Sequence, residues 1–235
     1  MAAIPPSHLE ALQTRLAYTF RDPTRLEEAL THPSCVQDRP DLAVNNQRLE
    51  FLGDAVLQLA LTETLFALFP GEREGALSRH RAALTKGSFL ARLALEIGLE
   101  GCLLLGPGEE ASGGRVKAAA LEDAFEALLG ALFLDSDFPT ARRVIQGLYG
   151  DLASRLAEVE EAENPKGRLQ ERIQPAHGND ALRYEVVAVE GADHARAYQV
   201  SVLLNGEPIG RGRGPSKKIA EEAAARAALE TLGKS

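Results

Sequence analysis

Cysteine is scarce in this sequence of 235 residues, which holds only Cys35 and Cys102 and no C-x-x-C pair. Two isolated cysteines exclude a disulfide framework and a zinc ribbon, and they favour a reducing compartment. No apolar run approaches the roughly 20 residues that cross a bilayer. The first residues, MAAIPPSHLE, lack the basic and apolar stretches of a signal peptide. We therefore expect a cytoplasmic protein that has no membrane partner.

Positive charge is also in short supply, since 26 Lys and Arg residues stand against 34 Asp and Glu, a formal net charge of −8. Such an average argues against binding to nucleic acid, but the charges are unevenly distributed. Residues 1–163 hold 15 basic and 25 acidic side chains, a net of −10, whereas residues 164–235 hold 11 and 9, a net of +2. The asymmetry predicts two modules, residues 1–160 and residues 164–235, joined near the acidic stretch that precedes Asn164.

The first module is predicted to be helical throughout. Apolar residues recur three and four positions apart in three segments, residues 50–69, 78–97 and 118–134. Turns rich in proline and glycine separate these segments, and no stretch alternates with a period of two before about residue 180. This pattern indicates an all-α bundle.

The second module changes to a two-residue period. Residues 182–188 and 198–204 alternate as strands do, and an Asn-Gly pair after the second run is a strong hairpin signal. A third short strand follows. Asn164, with proline after it, can cap a helix before the strands, and Ser216 can cap one after them in which alanines form one face. The chain is therefore predicted to be multidomain, an all-α module followed by a small α+β module of order α-β-β-β-α.

Two pairs of acids interrupt the apolar helical segments of the first module. Glu50 and Asp54 are four residues apart, and Asp123 and Glu126 are three apart, so each pair shares one helix face. Unpaired carboxylates among apolar neighbours are costly, which favours a shared cation. All-oxygen ligands favour Mg²⁺ or Mn²⁺ over zinc. Half-exposed helix faces or ion pairs would explain the same spacing, and the residues alone support the two interpretations about equally.

Longer motifs carry a resemblance to a known family. NNQRLEFLGDAVLQL strongly resembles the signature of ribonuclease III, and LEDAFEALLGALFLD resembles the second acidic motif of that family. NPKGRLQE and GEPIGRGRGPSKKIAEEAAARAAL resemble a double-stranded-RNA-binding domain. The resemblance covers nearly the whole chain, and it implies a helical catalytic domain followed by one RNA-binding domain, as in the short bacterial enzymes.

The resemblance implies the site residues of the first module. Asp54 and Glu126 match the catalytic pair, and Glu74 matches an accessory acid of the cleft. Gln47 differs from the family, since many relatives have Glu at this position. Its neutral amide lacks the charge that an accessory metal or substrate role would use. The implied cofactor is Mg²⁺, for which Mn²⁺ can substitute, and no small-molecule cofactor is implied. Four acids fall where the family binds this metal: Glu50, Asp54, Asp123 and Glu126.

The second module carries the implied RNA contacts. Gln170 and Glu171 match contacts to the minor groove of duplex RNA, and His194 matches a second such contact. Lys217 and Lys218 begin the last helix, where their charges and the positive helix end would both face phosphate. Some relatives carry a hydroxyl residue where this chain has glycine at position 167, so one side-chain contact is expected to be missing.

The resemblance also implies a homodimer, since Phe51 matches an aromatic residue that plugs a socket in the partner subunit. The plainer explanation is that Phe51 belongs to the core of its own chain. The implied activity is endonucleolytic cleavage of double-stranded RNA to 5′-phosphate and 3′-hydroxyl ends, in the processing of rRNA and other RNA. A protein that binds duplex RNA without cutting it is the alternative, and the retention of all four acids favours the enzyme.

Overall fold

The protein is divided into two compact units, Met1–Leu156 and Ala157–Ser235. The computed structural model describes residues 4–38, 44–178, 180–191 and 196–233. In these residues the first unit is helical, and the second holds a three-stranded sheet flanked by one helix on each side in sequence. The predicted fold class, an all-α module followed by an α-β-β-β-α module, is confirmed.

Ten α-helices form the described part of the first unit and its connection to the second. A short 3-10 helix lies at Leu99–Cys102 and another at Gly114–Val116. The helices are α1 Pro6–Leu16, α2 Pro23–Leu30, α3 Ser34–Asp38, α4 Gln47–Leu68, α5 Glu74–Leu84, α6 Gly87–Glu96, α7 Pro107–Ala111, α8 Ala118–Asp135, α9 Phe138–Tyr149 and α10 Leu152–Glu163. The division between the units falls within α10. The acidic stretch before Asn164 belongs to the same helix.

Two helices occupy residues 78–97, where the apolar spacing predicts one continuous helical pattern. The break lies between α5 and α6, where Lys86 has an extended backbone (φ −66°, ψ 133°). A Cβ atom at Gly87 would overlap the carboxylate of Glu122 on α8. Glycine therefore lets the first turn of α6 lie directly against α8, a long-range contact that local spacing does not reveal.

Helices α4 and α8 form the centre of the first unit, and their backbones touch. A Cβ atom at Gly53 on α4 would overlap the carbonyl oxygen of Glu126 on α8. A Cβ atom at Gly130 on α8 would likewise overlap the carbonyl oxygen of Leu49 on α4. Because side chains usually keep helix axes 8–10 Å apart, this close approach depends on glycine on both helices.

Helix α4 is long and apolar enough, at 22 residues, to match a membrane span by length and composition. The central helix of a helical bundle passes the same test, and α4 packs along α8 through a buried face that includes Leu57 and Leu61. Its opposite face is exposed and also apolar, with Phe51 82% and Phe66 72% accessible. The helix is therefore a core element that has one uncovered apolar side.

The second unit contains an antiparallel sheet with strand order β1-β2-β3. Its elements are α11 Pro165–His177, β1 Leu182–Glu190, β2 Ala197–Leu204, β3 Glu207–Gly214 and α12 Lys217–Gly233. Asn205 (φ 52°) and Gly206 (φ 93°) join β2 to β3, and two positive φ angles are typical of a type I′ hairpin turn. A bulge between Val186 and Ala188 interrupts the strict alternation expected for β1.

Close packing of α12 on the sheet relies on alternate glycines of β3. A Cβ atom at Gly210 or Gly212 would overlap the backbone of α12 around Ala224. Ala220, Ala224 and Ala228 are fully buried on the facing side of the helix. The predicted alanine face thus packs on a strip of glycine, while Ser216 caps the helix by accepting from the N–H of Ile219 at 3.3 Å.

Substitution at the α4–α8 crossing should destabilise the helical unit. We expect Gly53→Ala to cost about 1–3 kcal/mol, because the added methyl group must displace the backbone of α8. Gly147→Ala is the matched control, since Gly147 lies in α9 with nothing within 4 Å of its Cβ position. That change should be neutral or stabilise the unit by up to about 1 kcal/mol. Thermal unfolding of both variants checks this, and equal melting temperatures would contradict the role given to Gly53.

Candidate active site

The four acids singled out by their spacing come from the two helices that touch. Glu50 and Asp54 flank Gly53 on α4, and Asp123 and Glu126 lie on the turn of α8 that faces it. All four are half-buried. The contact between the two backbones therefore brings the two pairs of acids together. The sequence could suggest this only because both pairs have a similar spacing in apolar helical segments.

The electrostatics of these acids show how close they are. Burial, followed by the charges of Asp54, Glu122, Glu50 and Asp123, raises the pKa of Glu126 to about 8. The pKa of Glu50 is raised by burial and then by Asp123, Glu122 and Asp54. Burial and mutual repulsion together make the cluster unfavourable as a set of bare anions.

No basic side chain pairs with the centre of this cluster in the described part of the chain. Glu50, Asp123 and Glu126 form neither an ion pair nor a side-chain hydrogen bond there. Asp54 accepts one hydrogen bond, from the amide of Gln58 at 3.2 Å. Among the described residues, no protein cation neutralises the negative charge at the centre of the cluster.

A divalent cation fits the chemistry of this donor set. Carboxylate oxygens are the ligands that Mg²⁺ prefers, and a cation among them would reverse the repulsion that raises their pKa values. As the side chains stand, no three His, Cys, Asp or Glu residues in the described ranges are gathered tightly enough to form a closed ligand shell. The acids therefore lie within range of one another's charge without forming such a shell.

Glu122 is a member of the cluster that the sequence analysis missed. Its pKa is raised by burial and by Asp123, and its charge in turn raises the pKa of both Glu50 and Glu126. Glu122 and Glu126 are four residues apart, the same spacing that identified the first pair. That spacing was a signal available in the sequence.

Glu74 and Gln47 are placed differently from the four acids. Glu74 begins α5 and accepts a hydrogen bond from the hydroxyl of Ser78 at 2.9 Å. It lines a cavity of about 460 Å³ beside the C-terminal half of α4, which none of the four acids lines. Gln47 is exposed at the start of α4, and its backbone N–H donates to the side chain of Asn45 at 3.1 Å. The single chain does not bring Glu74 to the acid cluster.

The exposure of Phe51, at 82%, excludes a place in the core of its own chain. Leu59, at 56%, and Phe66, at 72%, continue the same exposed stripe at steps of eight and seven residues. An exposed apolar stripe of this length is typical of a surface that another protein covers.

In the second unit, two helices present the predicted RNA contacts to solvent. Gln170 and Glu171 are exposed on α11, and Lys217 and Lys218 are exposed on the first turn of α12. The two helices pack against each other. His194 lies outside the described residues, so its predicted contact stays a prediction.

Lys166 shows the difference between a structural and an available lysine in this unit. Its ammonium group pairs with Glu221 at 2.6 Å and lies 4.6 Å from the centre of the Tyr184 ring. Burial, and then the charge of Glu221, raises the pKa of Tyr184 to about 12. Lys166 therefore ties α11 to α12 and β1, whereas Lys217 and Lys218 keep their charges in solvent.

Two family models match the chain, in the order of its two units. The ribonuclease-III-like model matches residues 22–151, and the double-stranded RNA binding motif matches residues 165–232. The first match alone covers more than half of the chain.

Similar proteins cover nearly the same length. A ribonuclease 3 of Pseudomonas putida strain W619 is 46% identical over 228 residues, 96% of this chain and 96% of that protein. A ribonuclease 3 of Bdellovibrio bacteriovorus is 42% identical over 222 residues, 94% of each. A solved nuclease domain of ribonuclease III from Campylobacter jejuni, described for flexibility in a region involved in dimer formation, is 39% identical with a TM-score of 0.54. It covers 65% of this chain and 96% of that one. Motifs, fold and relatives agree, and the chain belongs to the ribonuclease III family of endoribonucleases that cleave double-stranded RNA.

Proposed function

We propose that Glu50, Asp54, Asp123 and Glu126 form the metal-binding catalytic site with which this endoribonuclease hydrolyses double-stranded RNA. The observation that carries the proposal is the convergence of four half-buried carboxylates from α4 and α8, at whose centre the described residues place no basic partner. Hydrolysis of a phosphodiester needs an activated water and neutralisation of the charge that develops at phosphorus. A concentrated set of anions serves that reaction only when it holds a cation.

The donor set favours Mg²⁺, with Mn²⁺ as a substitute. Bound there, the metal lowers the pKa of a water molecule and polarises the phosphate. Asp54 and Glu126 are the proposed catalytic pair, since they match the catalytic pair of the family and lie beside the point where the backbones of α4 and α8 touch. Glu50 and Asp123 complete the ligand set, and Glu122 adds negative charge beside it. Gln47 contributes no charge, so we assign it no part in holding the metal.

Removing one carboxylate charge should abolish cleavage while leaving RNA binding intact. We expect Glu126→Gln to lower kcat at least about 100-fold, the scale of losing a charged group that acts on the transition state. Single-turnover cleavage of duplex RNA in Mg²⁺ checks the rate. Ca²⁺, which is larger and less strictly octahedral, should support binding without cutting. Full activity of the variant in Mg²⁺ would remove Glu126 from the site.

Two controls separate lost chemistry from lost structure. Glu63→Gln, also on α4, breaks only an exposed ion pair with Arg142 and should leave the rate unchanged.

The folded pKa of Glu126, about 8, lies above the ordinary value of 4.5. The stability that the protonated Glu126 side chain contributes is therefore complete below about pH 4.5 and is lost as the pH rises through 8. In chelator, Glu126→Gln should gain thermal stability relative to the parent protein as the pH rises from 5 to about 8.

We propose that the second unit supplies the affinity for duplex RNA through Gln170, Glu171, His194, Lys217 and Lys218. Exposed charges at the positive end of α12 suit the phosphates across the RNA groove, and exposed polar groups on α11 suit its minor groove. The functional division at residues 1–160 and 164–235 is supported by the ranges of the two family matches. Phosphate contacts are needed because the first 163 residues carry a net charge of −10 and repel RNA outside the metal site.

Loss of the two lysines should weaken RNA binding and flatten its salt dependence. We expect Lys217→Ala with Lys218→Ala to reduce affinity at least about tenfold, and to lower the slope of log affinity against log salt by about 1–2. The matched control is Arg183→Ala with Arg211→Ala. The two arginines lie on the outer strands, each opposite a residue of β2 that is next to the buried Val202. Because side chains alternate along a strand, both arginines lie on the sheet face away from the helices. Equal losses in the two double variants, measured by filter binding, would contradict the proposed surface.

We propose that the protein is a homodimer formed along the exposed stripe of α4. A two-fold axis that crosses the middle of α4 at right angles pairs this helix antiparallel with its copy. Phe51 then lies opposite the C-terminal half of the other α4, where the cavity of about 460 Å³ is lined by Leu65, Phe66 and Leu77. The same symmetry carries Glu74 of the second copy towards Glu50, which gives that acid its accessory place at the cleft.

Truncation of Phe51 should weaken the dimer. An exposed aromatic residue that fills a cavity of the partner is a typical hot spot, so Phe51→Ala should raise the dissociation constant of the dimer at least about tenfold. Leu95→Ala is the control, because Leu95 is 46% exposed on α6 and lies outside the stripe. Light scattering over a dilution series checks both variants, and a dimer that persists unchanged in Phe51→Ala would exclude this interface.

We also infer a cytoplasmic location and a role in the processing of rRNA and other RNA. Cys35 and Cys102 are both buried and are not joined in a disulfide, which suits a reducing compartment. Double-stranded RNA, the substrate of the family, is formed in transcripts of the same compartment.

A further inference from the structure

His32 lies at the entrance to helix α4, held there by backbone hydrogen bonds. Its N–H donates to the carbonyl of Leu104 at 2.9 Å, within a short parallel bridge between Thr31 and Leu104. The carbonyl of Thr31 accepts from the N–H of Asn46 at 2.9 Å, and the carbonyl of Asn46 accepts from the N–H of Glu50 at 2.8 Å. One chain of hydrogen bonds thus connects the backbone beside His32 to the first acid of the active site.

The imidazole ring of His32 is held at one nitrogen only. The backbone N–H of Ser34 donates to Nδ1 at 3.1 Å, and the hydroxyl of Ser34 lies 2.8 Å from the same atom. That hydroxyl also accepts from the N–H of Gly106 at 2.9 Å, which fixes its position. Because Nδ1 accepts, the neutral ring carries its proton on Nε2. In the described ranges Nε2 has no hydrogen-bond partner, and the residue is only half-buried.

The ring lies within range of the acid cluster. Burial raises the pKa of Asp123, and the charge that His32 can carry partly offsets this effect. The pKa of Glu109 is lowered first by its hydrogen bond with Lys117 and last by the charge of His32. His32 therefore interacts electrostatically with Asp123 on α8 and with Glu109 on α7, and in the described ranges it forms no hydrogen bond with either.

The protonation of the ring decides what it can bind. A histidine that binds a metal offers a bare Nε2 and donates its other N–H to a neighbour. His32 has the reverse arrangement, since Nδ1 accepts and Nε2 donates. A donor beside a cluster of anions suits an oxyanion, and the oxyanion that enters this cleft is an RNA phosphate.

A second polar group at this end of α4 has no partner. The side chain of Asn46 is 1% exposed, and neither its amide nitrogen nor its oxygen has a hydrogen-bond partner in the described part of the chain. Buried amides are normally paired, by protein or by ordered water. Among the described residues, the polar groups around the start of α4 are therefore not all paired.

We propose that His32 is a further RNA-contacting residue of the active site, which donates its Nε2–H to a phosphate oxygen of the strand bound beside Asp123. Ser34 orients the ring for this contact by occupying Nδ1. The proposal rests on the carboxylate site proposed above, because the phosphate reaches His32 only when RNA lies across those acids.

Two substitutions by amide side chains distinguish the roles of the two ring nitrogens of His32. The side-chain nitrogen of glutamine in His32→Gln reaches about as far as Nε2, whereas that of asparagine in His32→Asn reaches only to Nδ1. With the full chain and duplex RNA in Mg²⁺, we expect His32→Asn to lower kcat/KM about 10- to 100-fold, the scale of a lost hydrogen bond to a charged group. His32→Gln should stay within about threefold of the parent protein.

The remaining measurements exclude an indirect effect. The Mg²⁺ concentration for half-maximal activity should be unchanged in both variants. Ser34→Ala, which removes the hydroxyl but keeps the backbone N–H at Nδ1 and the donor of the ring, should lower kcat/KM by less than His32→Asn and add nothing to it in the double variant. This second variant keeps the proposal open to refutation if His32→Asn folds poorly.

Several results would overturn the proposal. They are an unchanged rate in His32→Asn, equal losses in the asparagine and glutamine variants, a shifted Mg²⁺ requirement, or additive losses with Ser34→Ala. Glu126→Gln measured in parallel separates this outcome from failure of the carboxylate site. If Glu126→Gln cleaves normally, the metal site is wrong, and if only His32→Asn cleaves normally, the role of His32 alone is wrong.

Discussion

The direct backbone contact between α4 and α8 is the constraint on which the rest of the helical unit depends. Glycine at positions 53 and 130 lets the two longest helices of that unit touch, and the acids beside this contact on each helix are brought together. Burial, and then the charges of the neighbouring acids, raises the pKa of Glu126 to about 8. The extensively buried α8, with Phe125, Leu128 and Leu132 at 0% exposure, stabilises an arrangement that its carboxylates oppose.

Close packing of glycine against a helix recurs in the second unit for a different purpose. Alternate glycines of β3 allow α12 to lie on the sheet, and the start of that helix presents Lys217 and Lys218 to solvent. The charge of the chain divides accordingly, with a net of −10 before residue 164 and +2 after it. A unit that concentrates anions for catalysis is poorly suited to hold RNA, so affinity is best supplied by a separate unit.

Local patterns predicted much of the site and of the fold. The spacing of Glu50 with Asp54 and of Asp123 with Glu126 identified one helix face each, and Asn205-Gly206 predicted the hairpin between β2 and β3. Helix spacing did not reveal the break between Leu84 and Gly87, where Lys86 has an extended backbone and Gly87 lies against Glu122 of another helix. The spacing of Glu122 to Glu126 is also four residues. Glu122 was not predicted because the neighbouring Asp123 already accounted for the acidic pair in this motif.

The sequence by itself determined the features that depend on neighbours a few residues apart. The Asn164 side chain caps α11 at 3.0 Å from the N–H of Gly167, and each pair of acids shares one helix turn. Tertiary structure alone decided which distant residues meet. Gly53 touches Glu126, and the ring of His32 comes within electrostatic range of Asp123. Burial and repulsion depend on every segment that packs around a group, so no single segment of sequence encodes the pKa of Glu126 or the exposure of Phe51.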